Sequence, residues 1–169
     1  MAIREIIKLP HPTLRRRAVK VKKFDKDLHK LLDDMAETMR DEPGVGLAAP
    51  QVNISQRIVV VEYPLDDTDP EAESVLYEIV NPVISDLSEE REFGIEGCLS
   101  VPNIFGSVER SVSLSVSGKN RFGKKIKIDA NGWLARIFQH EIDHLNGTLF
   151  VDLAETLYQP DEIPEGKEV

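Results

Sequence analysis

Residues 25–40 carry apolar side chains at helical spacing. Leu28, Leu31, Leu32, Met35 and Met39 fall on one stripe. Asp25 stands where an N-cap is wanted, and Glu42-Pro43-Gly44 ends the pattern. These residues predict an amphipathic helix packed on a core. Residues 57–63, RIVVVEY, are rich in β-branched side chains and predict a strand. Residues 64–74 are acidic, hold two prolines and read as a loop. Residues 75–84 predict a second strand, interrupted at Asn81-Pro82, and 88–93 a third. Between 108 and 116, Val112, Leu114 and Val116 alternate with Ser111, Ser113 and Ser115. That pattern predicts one strand with one solvated face. Residues 118–123 turn the chain, and 124–128 pair back as a hairpin with Ile126 and Ile128 inward. Asp129 or Asn131 is placed to cap a second helix, which runs to about Leu145 before Asn146-Gly147 ends it. The tail after Tyr158 holds two prolines and four acidic residues and is expected to be flexible.

The second helix carries His-Glu-x-x-His at 140–144. With His140 at zero on the helical wheel, Trp133 lies at about 20°, His144 at about 40° and Ile137 at about 60°. These four form one stripe. Glu141, at about 100°, flanks it and can reach something bound to a metal without being a ligand. Leu134, Phe138 and Leu145 extend the apolar arc, so the helix should be buried. Two histidines and a glutamate on a buried helix need partners, and a metal supplies one. Catalytic sites of this kind take a third protein ligand and keep one open position. One protease group places a histidine where this chain has Phe150. His11 and His29 read as surface residues. Glu155 and Glu162 lie near or within the tail. Cys98 remains the candidate.

Composition narrows the setting. A chain of 169 residues suits one domain, 1–169, with 159–169 a flexible acidic tail. No apolar run approaches the ~20 residues of a membrane span, and MAIREIIKLP lacks the apolar core of a secretory signal. The single cysteine excludes an internal disulfide and suggests a reducing compartment. A cytoplasmic protein is expected. A net charge of −9 argues against a general binder of nucleic acid. The local basic run Arg15, Arg16, Arg17, Lys20, Lys22, Lys23 reads as a solvated face, with a weak contact to an anionic surface as the alternative.

Three stretches together carry a resemblance. GVGLAAPQ at 44–51, EGCLS at 96–100 and QHEIDHLNG at 139–147 are similar, in order and spacing, to the signature motifs of bacterial-type peptide deformylases. The similarity extends from about residue 3 to 152, through PHPTLRRRA, FDKDL and VPN…VER. The resemblance implies an α+β fold with antiparallel sheets around a central, buried, metal-bearing helix. It implies hydrolysis of the formyl group from N-formylmethionyl peptides at the start of new chains. Carried over by position, it makes Cys98, His140 and His144 the metal ligands and Glu141 the acid/base. Gln51 and the Leu99 backbone N–H become oxyanion donors, and Gly46 a backbone contact at the rim. It points to one divalent ion, Fe²⁺ in the cell and Zn²⁺ as a common substitute; Ni²⁺ and Co²⁺ suit the same donors. Val45, Gly97, Trp133 and Ile137 are expected to line the substrate pocket. Glu96 and Arg110 are expected to pair behind the cysteine. The long basic C-terminal helix of some relatives is missing, so any ribosome contact should be weak. A monomer without membrane or specific nucleic-acid contacts is expected.

Two rival readings make different demands. An endoprotease needs a downstream His or Glu as third ligand, and Phe150 stands against the first. A structural Cys-His-His site needs a fourth protein ligand, and none is obvious.

Overall fold

The alternation at 108–116 resolves into two strands that belong to different sheets. The structure, a computed structural model describing residues 2–165, breaks the run at Val112. There the Val112 N–H is drawn off to Ser88 Oγ and Glu90 O, and the Val112 carbonyl accepts from Gly132 N–H at 2.8 Å. The expected solvated serine face is also corrected. Ser111 and Ser115 are buried. Gln139 clasps the Ser111 backbone through both ends of its amide, and Ser115 donates to Asp129 Oδ1 at 2.6 Å.

In chain order the elements are α1 (Lys26–Asp41), β1 (Gly46–Ala48), β2 (Ile58–Pro64), β3 (Ser74–Ser85), β4 (Arg91–Cys98), β5 (Val101–Ser111), β6 (Ser113–Lys119), β7 (Lys125–Asn131), α2 (Gly132–His144), α3 (Phe150–Leu153) and β8 (Thr156–Tyr158). Short 3-10 turns lie at Pro12–Arg15, Ala49–Val52 and Pro160–Glu162. The strands form two antiparallel sheets, β1-β2-β3-β6-β7 and β4-β5-β8. The fold is therefore α+β, as the resemblance implied. The strand expected at 88–93 starts later, at Arg91, and continues to Cys98. Its predicted start serves as a brace instead, with Ser88 tied to Val112 and Ser113. β3 keeps the expected interruption: its register to β6 shifts between Val80 and Val83, and Asn81 has φ +54°.

β2 shows why the larger sheet sits between two helices. All four residues from Ile58 to Val61 are buried. Alternation sends Ile58 and Val60 to the α1 side, where they meet Leu28, Leu31, Met35 and Met39. Val59 and Val61 face the other way and meet Leu134, Ala135, Phe138 and Leu145 of α2. A third cluster, Leu14, Val101, Val108, Leu149 and Phe150, backs the smaller sheet. α2 thus lies between sheets, and its polar residues at 139–141 and 144 are buried.

Asp25 caps α1 as expected, accepting from Leu28 N–H at 3.1 Å. Asn131 occupies the N-cap position of α2 but makes no capping hydrogen bond with its side chain, and Asp129 is engaged by Ser115. The other end is well held. Gly147 has φ +76°, and a Cβ there would fall 2.6 Å from Arg15 O. Arg57 donates to Leu145 O at 3.0 Å and to Asn146 Oδ1 at 3.1 Å, satisfying groups at the helix end. In the tail, Pro160–Glu162 form a 3-10 turn, and 166–169 lie outside the described residues.

Asp34, buried in α1, gathers the N-terminal segment. It accepts from Ala2 N–H at 2.8 Å, Arg4 Nε at 3.0 Å and Lys30 Nζ at 3.0 Å. Burial alone would raise its pKa, but these donors, led by Lys30, hold it below the ordinary value. A depressed folded-state pKa gives stability that is full above the unfolded value of about 3.9 and lost as pH falls through the folded value. Asp34→Asn is expected to cost about 1–3 kcal/mol at neutral pH. Urea unfolding should show the gap to the unsubstituted protein closing as pH drops below about 4. A gap that does not change with pH would contradict this account of Asp34.

Candidate metal centre

Cys98 ends β4, where the register to β5 shifts after Gly97 and a tight turn pairs Cys98 with Val101. His140 and His144 are one turn apart on α2 and are buried. The ligand atoms of the three side chains all lie within 4.8 Å of one another. Cys98 Sγ is 3.4 Å from His144 Nε2. Bond lengths for sulfur and nitrogen around a tetrahedral ion place such ligands roughly 3.5 Å apart. His140 uses Nδ1 against Glu96 Oε1 at 2.8 Å, which leaves Nε2 for an ion. The donor set therefore fits a divalent metal with one open position, and none of the other described His, Asp or Glu groups completes the cluster as a fourth ligand. This favours a catalytic over a closed structural site.

Glu96 sits two residues before the cysteine on the same strand. Its carboxylate accepts from Arg110 Nη2 at 2.9 Å, Arg110 Nε at 3.0 Å and Arg136 Nη1 at 2.7 Å. The expected Glu96–Arg110 pair is present and buried, and Arg110 also donates to Asp143 at 2.6 Å. Burial would push the Glu96 carboxyl up; the donors from His140 and Arg110 outweigh it and hold the group far below the usual carboxylate range. Burial pulls the His144 imidazole well below its ordinary value. That favours the neutral form a ligand needs.

Glu141 is buried too, and its Oε1 has no hydrogen-bond partner. Burial pushes this carboxyl up to about 7. Its Oε2 presses on β1: a Cβ at Gly46 would fall 2.5 Å from it. Only glycine fits there. Gln51 follows in the 3-10 turn after β1. Its Oε1 accepts from Ala48 N–H at 3.0 Å, so Nε2 is aimed at the centre, 3.5 Å from Cys98 Sγ and 3.2 Å from Ser100 Oγ.

A cleft of about 560 Å³ opens onto these groups. Val45, Gly97, Leu99, Trp133 and Ile137 line it together with Gly46, Gln51, Cys98, His140 and Glu141. His144 lies behind, fully buried. Val45 is exposed at the rim, and Gly97 leaves room for Phe105, whose ring a Cβ would approach to 2.7 Å. Every residue expected at the site is thus at the centre or its cleft.

Two neighbours were not foreseen. Arg136 joins Glu96, although its place one turn before His140, at about −40° on the wheel, was a readable signal. Phe150 stacks on the His140 ring with centroids 5.9 Å apart and planes at 20°. It sits where a protease would have a third histidine and instead packs the His140 ring.

A thiol, two imidazoles and a buried carboxyl without a partner on Oε1, at an apolar-walled cleft, suit a metal-dependent hydrolase. A family profile described as polypeptide deformylase matches residues 3–159. The peptide deformylase of Symbiobacterium thermophilum is 48% identical over 99% of this chain and 74% of its own. That of Desulforudis audaxviator is 43% identical over 96% of this chain and 100% of its own. Among solved structures, peptide deformylase from Thermotoga maritima superposes with a TM-score of 0.83 at 41% identity, covering 92% of this chain and 100% of that one. The Ehrlichia chaffeensis enzyme, solved with actinonin, gives 0.85 at 41% identity over 92% and 91%. The chain belongs to the polypeptide deformylase family. Its reaction is the family's: metal-dependent hydrolysis of the N-formyl group from N-formylmethionyl nascent peptides, releasing formate and a free amine.

Two outcomes follow from this geometry. Gly46→Ala should cost about 1–3 kcal/mol of stability and lower kcat/KM by about tenfold or more, because the added Cβ displaces Glu141. Full activity in that variant would contradict the close approach. Cys98→Ser should lose stoichiometric metal, read by elemental analysis of the purified protein; full retention would place the third ligand elsewhere.

Proposed function

We propose that Cys98, His140 and His144 hold the ion and that Glu141 moves the protons of deformylation. The observation that carries this reading is the Glu141 carboxylate, buried without a partner on Oε1 beside three converged metal donors. An ion bound there would supply Lewis acidity and lower the pKa of a water. Glu141 takes a proton from the attacking water and later delivers one to the departing amine. Gln51 Nε2, held in orientation by Ala48 and Ser100, and the Leu99 N–H meet the charge that grows on the formyl oxygen. β1 is an edge strand, paired only to β2. Its free edge at Gly46 is suited to pair with the substrate backbone, as extended peptides add to sheet edges. Trp133 and Ile137, with Val45 and Gly97, form the wall for the methionine side chain.

The same reading assigns Fe²⁺ as the cellular metal, with Zn²⁺, Ni²⁺ or Co²⁺ able to replace it. It places the protein in the bacterial cytoplasm as a monomer, a single domain over 1–169 with an acidic tail and at most a weak ribosome contact. Among the described residues no helix is long and apolar enough to cross a membrane.

Formate release from a formyl-Met peptide by the metal-loaded protein tests the core of this. Glu141→Gln should lower kcat by about 10²–10⁴ while the protein still binds metal. Absence of formate with the unsubstituted protein, or undiminished turnover in the variant, would overturn the assignment.

A further inference from the structure

Arg136 is a buried cation at the centre to which the chemistry above gives no work. Its Nη1 donates to Glu96 Oε2 at 2.7 Å and to Val108 O at 2.8 Å, and its Nη2 donates to Glu92 O at 2.7 Å. One guanidinium therefore ties α2 to both β4 and β5. The fold makes room for it: a Cβ at Gly94 would fall 2.7 Å from Arg136 Cζ. The Trp133 ring lies over it, 5.3 Å from centroid to Cζ. Arg110 already donates to both Glu96 oxygens but shares its charge with Asp143, so Arg136 helps to balance the two carboxylates. Beyond charge, Arg136 adds direction. With Arg110 it loads Oε2 twice, so that the carboxylate plane is fixed and Oε1 is turned to His140 Nδ1.

We propose that Arg136 is a positioning residue. Through Glu96 it holds the His140 ring in the tautomer and orientation that present Nε2 to the metal. This rests on the assignment of Cys98, His140 and His144 as ligands and extends it by one shell of contacts. An arginine is required because the task is a planar fork with three acceptors, which a lysine ammonium on a flexible stem cannot reproduce.

The test reads metal release rather than turnover. The Co²⁺-loaded protein is mixed with excess EDTA, and loss of the visible cobalt bands is followed. Arg136→Lys should release Co²⁺ about tenfold faster than the unsubstituted protein, and Arg136→Met about 10–100-fold faster. Trp133→Leu keeps the fork, removes the ring and should release at the unsubstituted rate. Circular dichroism reports folding for each variant, and if Arg136→Met does not fold, Arg136→Lys decides alone. A folded Arg136→Lys that releases within twofold of the unsubstituted rate overturns the proposal. So does a Trp133→Leu protein that releases as fast as Arg136→Lys, since pocket packing would then be the cause. An unsubstituted protein that holds no Co²⁺ overturns it as well. Formate release reports on the deformylase assignment separately, so the two failures are told apart.

Discussion

The buried carboxylate of Glu96 is the point on which the centre depends. It is nearly sealed from solvent, and an unpaired charge there would be costly. The fold answers with four donor nitrogens from three residues: His140, Arg110 and Arg136. These come from α2 and β5, while Glu96 itself lies on β4 two residues before Cys98. One anion therefore fixes the strand that carries Cys98 against the helix that carries the imidazoles. Breaking a buried network of this kind by removing one partner costs on the order of 3–5 kcal/mol. The metal donors inherit their geometry from it.

The remaining constraints are steric and converge on the same helix. Gly46 lets β1 touch Glu141, and Gly94 lets β4 touch Arg136. Phe150 closes the other side by stacking on His140. Glu141 Oε1 is left buried without a hydrogen-bond partner, as is His144 Nδ1. A carboxyl in that condition suits the proton-moving role proposed for it. Gln51 and Leu99 line the same cleft as Glu141.

Much of this was legible in the chain. The helical stripe placed Trp133, Ile137, His140 and His144 together, and all but His144 face the cleft while His144 closes it from behind. The lone cysteine stood out because the histidine pair lacked a third ligand. The Glu96–Arg110 pair was expected behind the cysteine, and it is present. The errors have physical causes. Alternation at 108–116 looked like one strand because hydrophobic period does not record which sheet a residue joins. The break at Val112 arises from hydrogen bonds to Ser88 and Gly132, more than twenty and about twenty residues away. The serines read as solvated because their partners, Gln139 and Asp129, are set by tertiary contacts. Arg136 was missed because an arginine on a mostly apolar helix reads as surface until its acceptors are seen.

X-ray absorption at the metal edge of the loaded protein tests the central claim most directly. One sulfur at about 2.3 Å and two imidazole nitrogens at about 2.0–2.1 Å, with one further light ligand, is the predicted shell. A shell of nitrogen and oxygen alone, without sulfur, would contradict it.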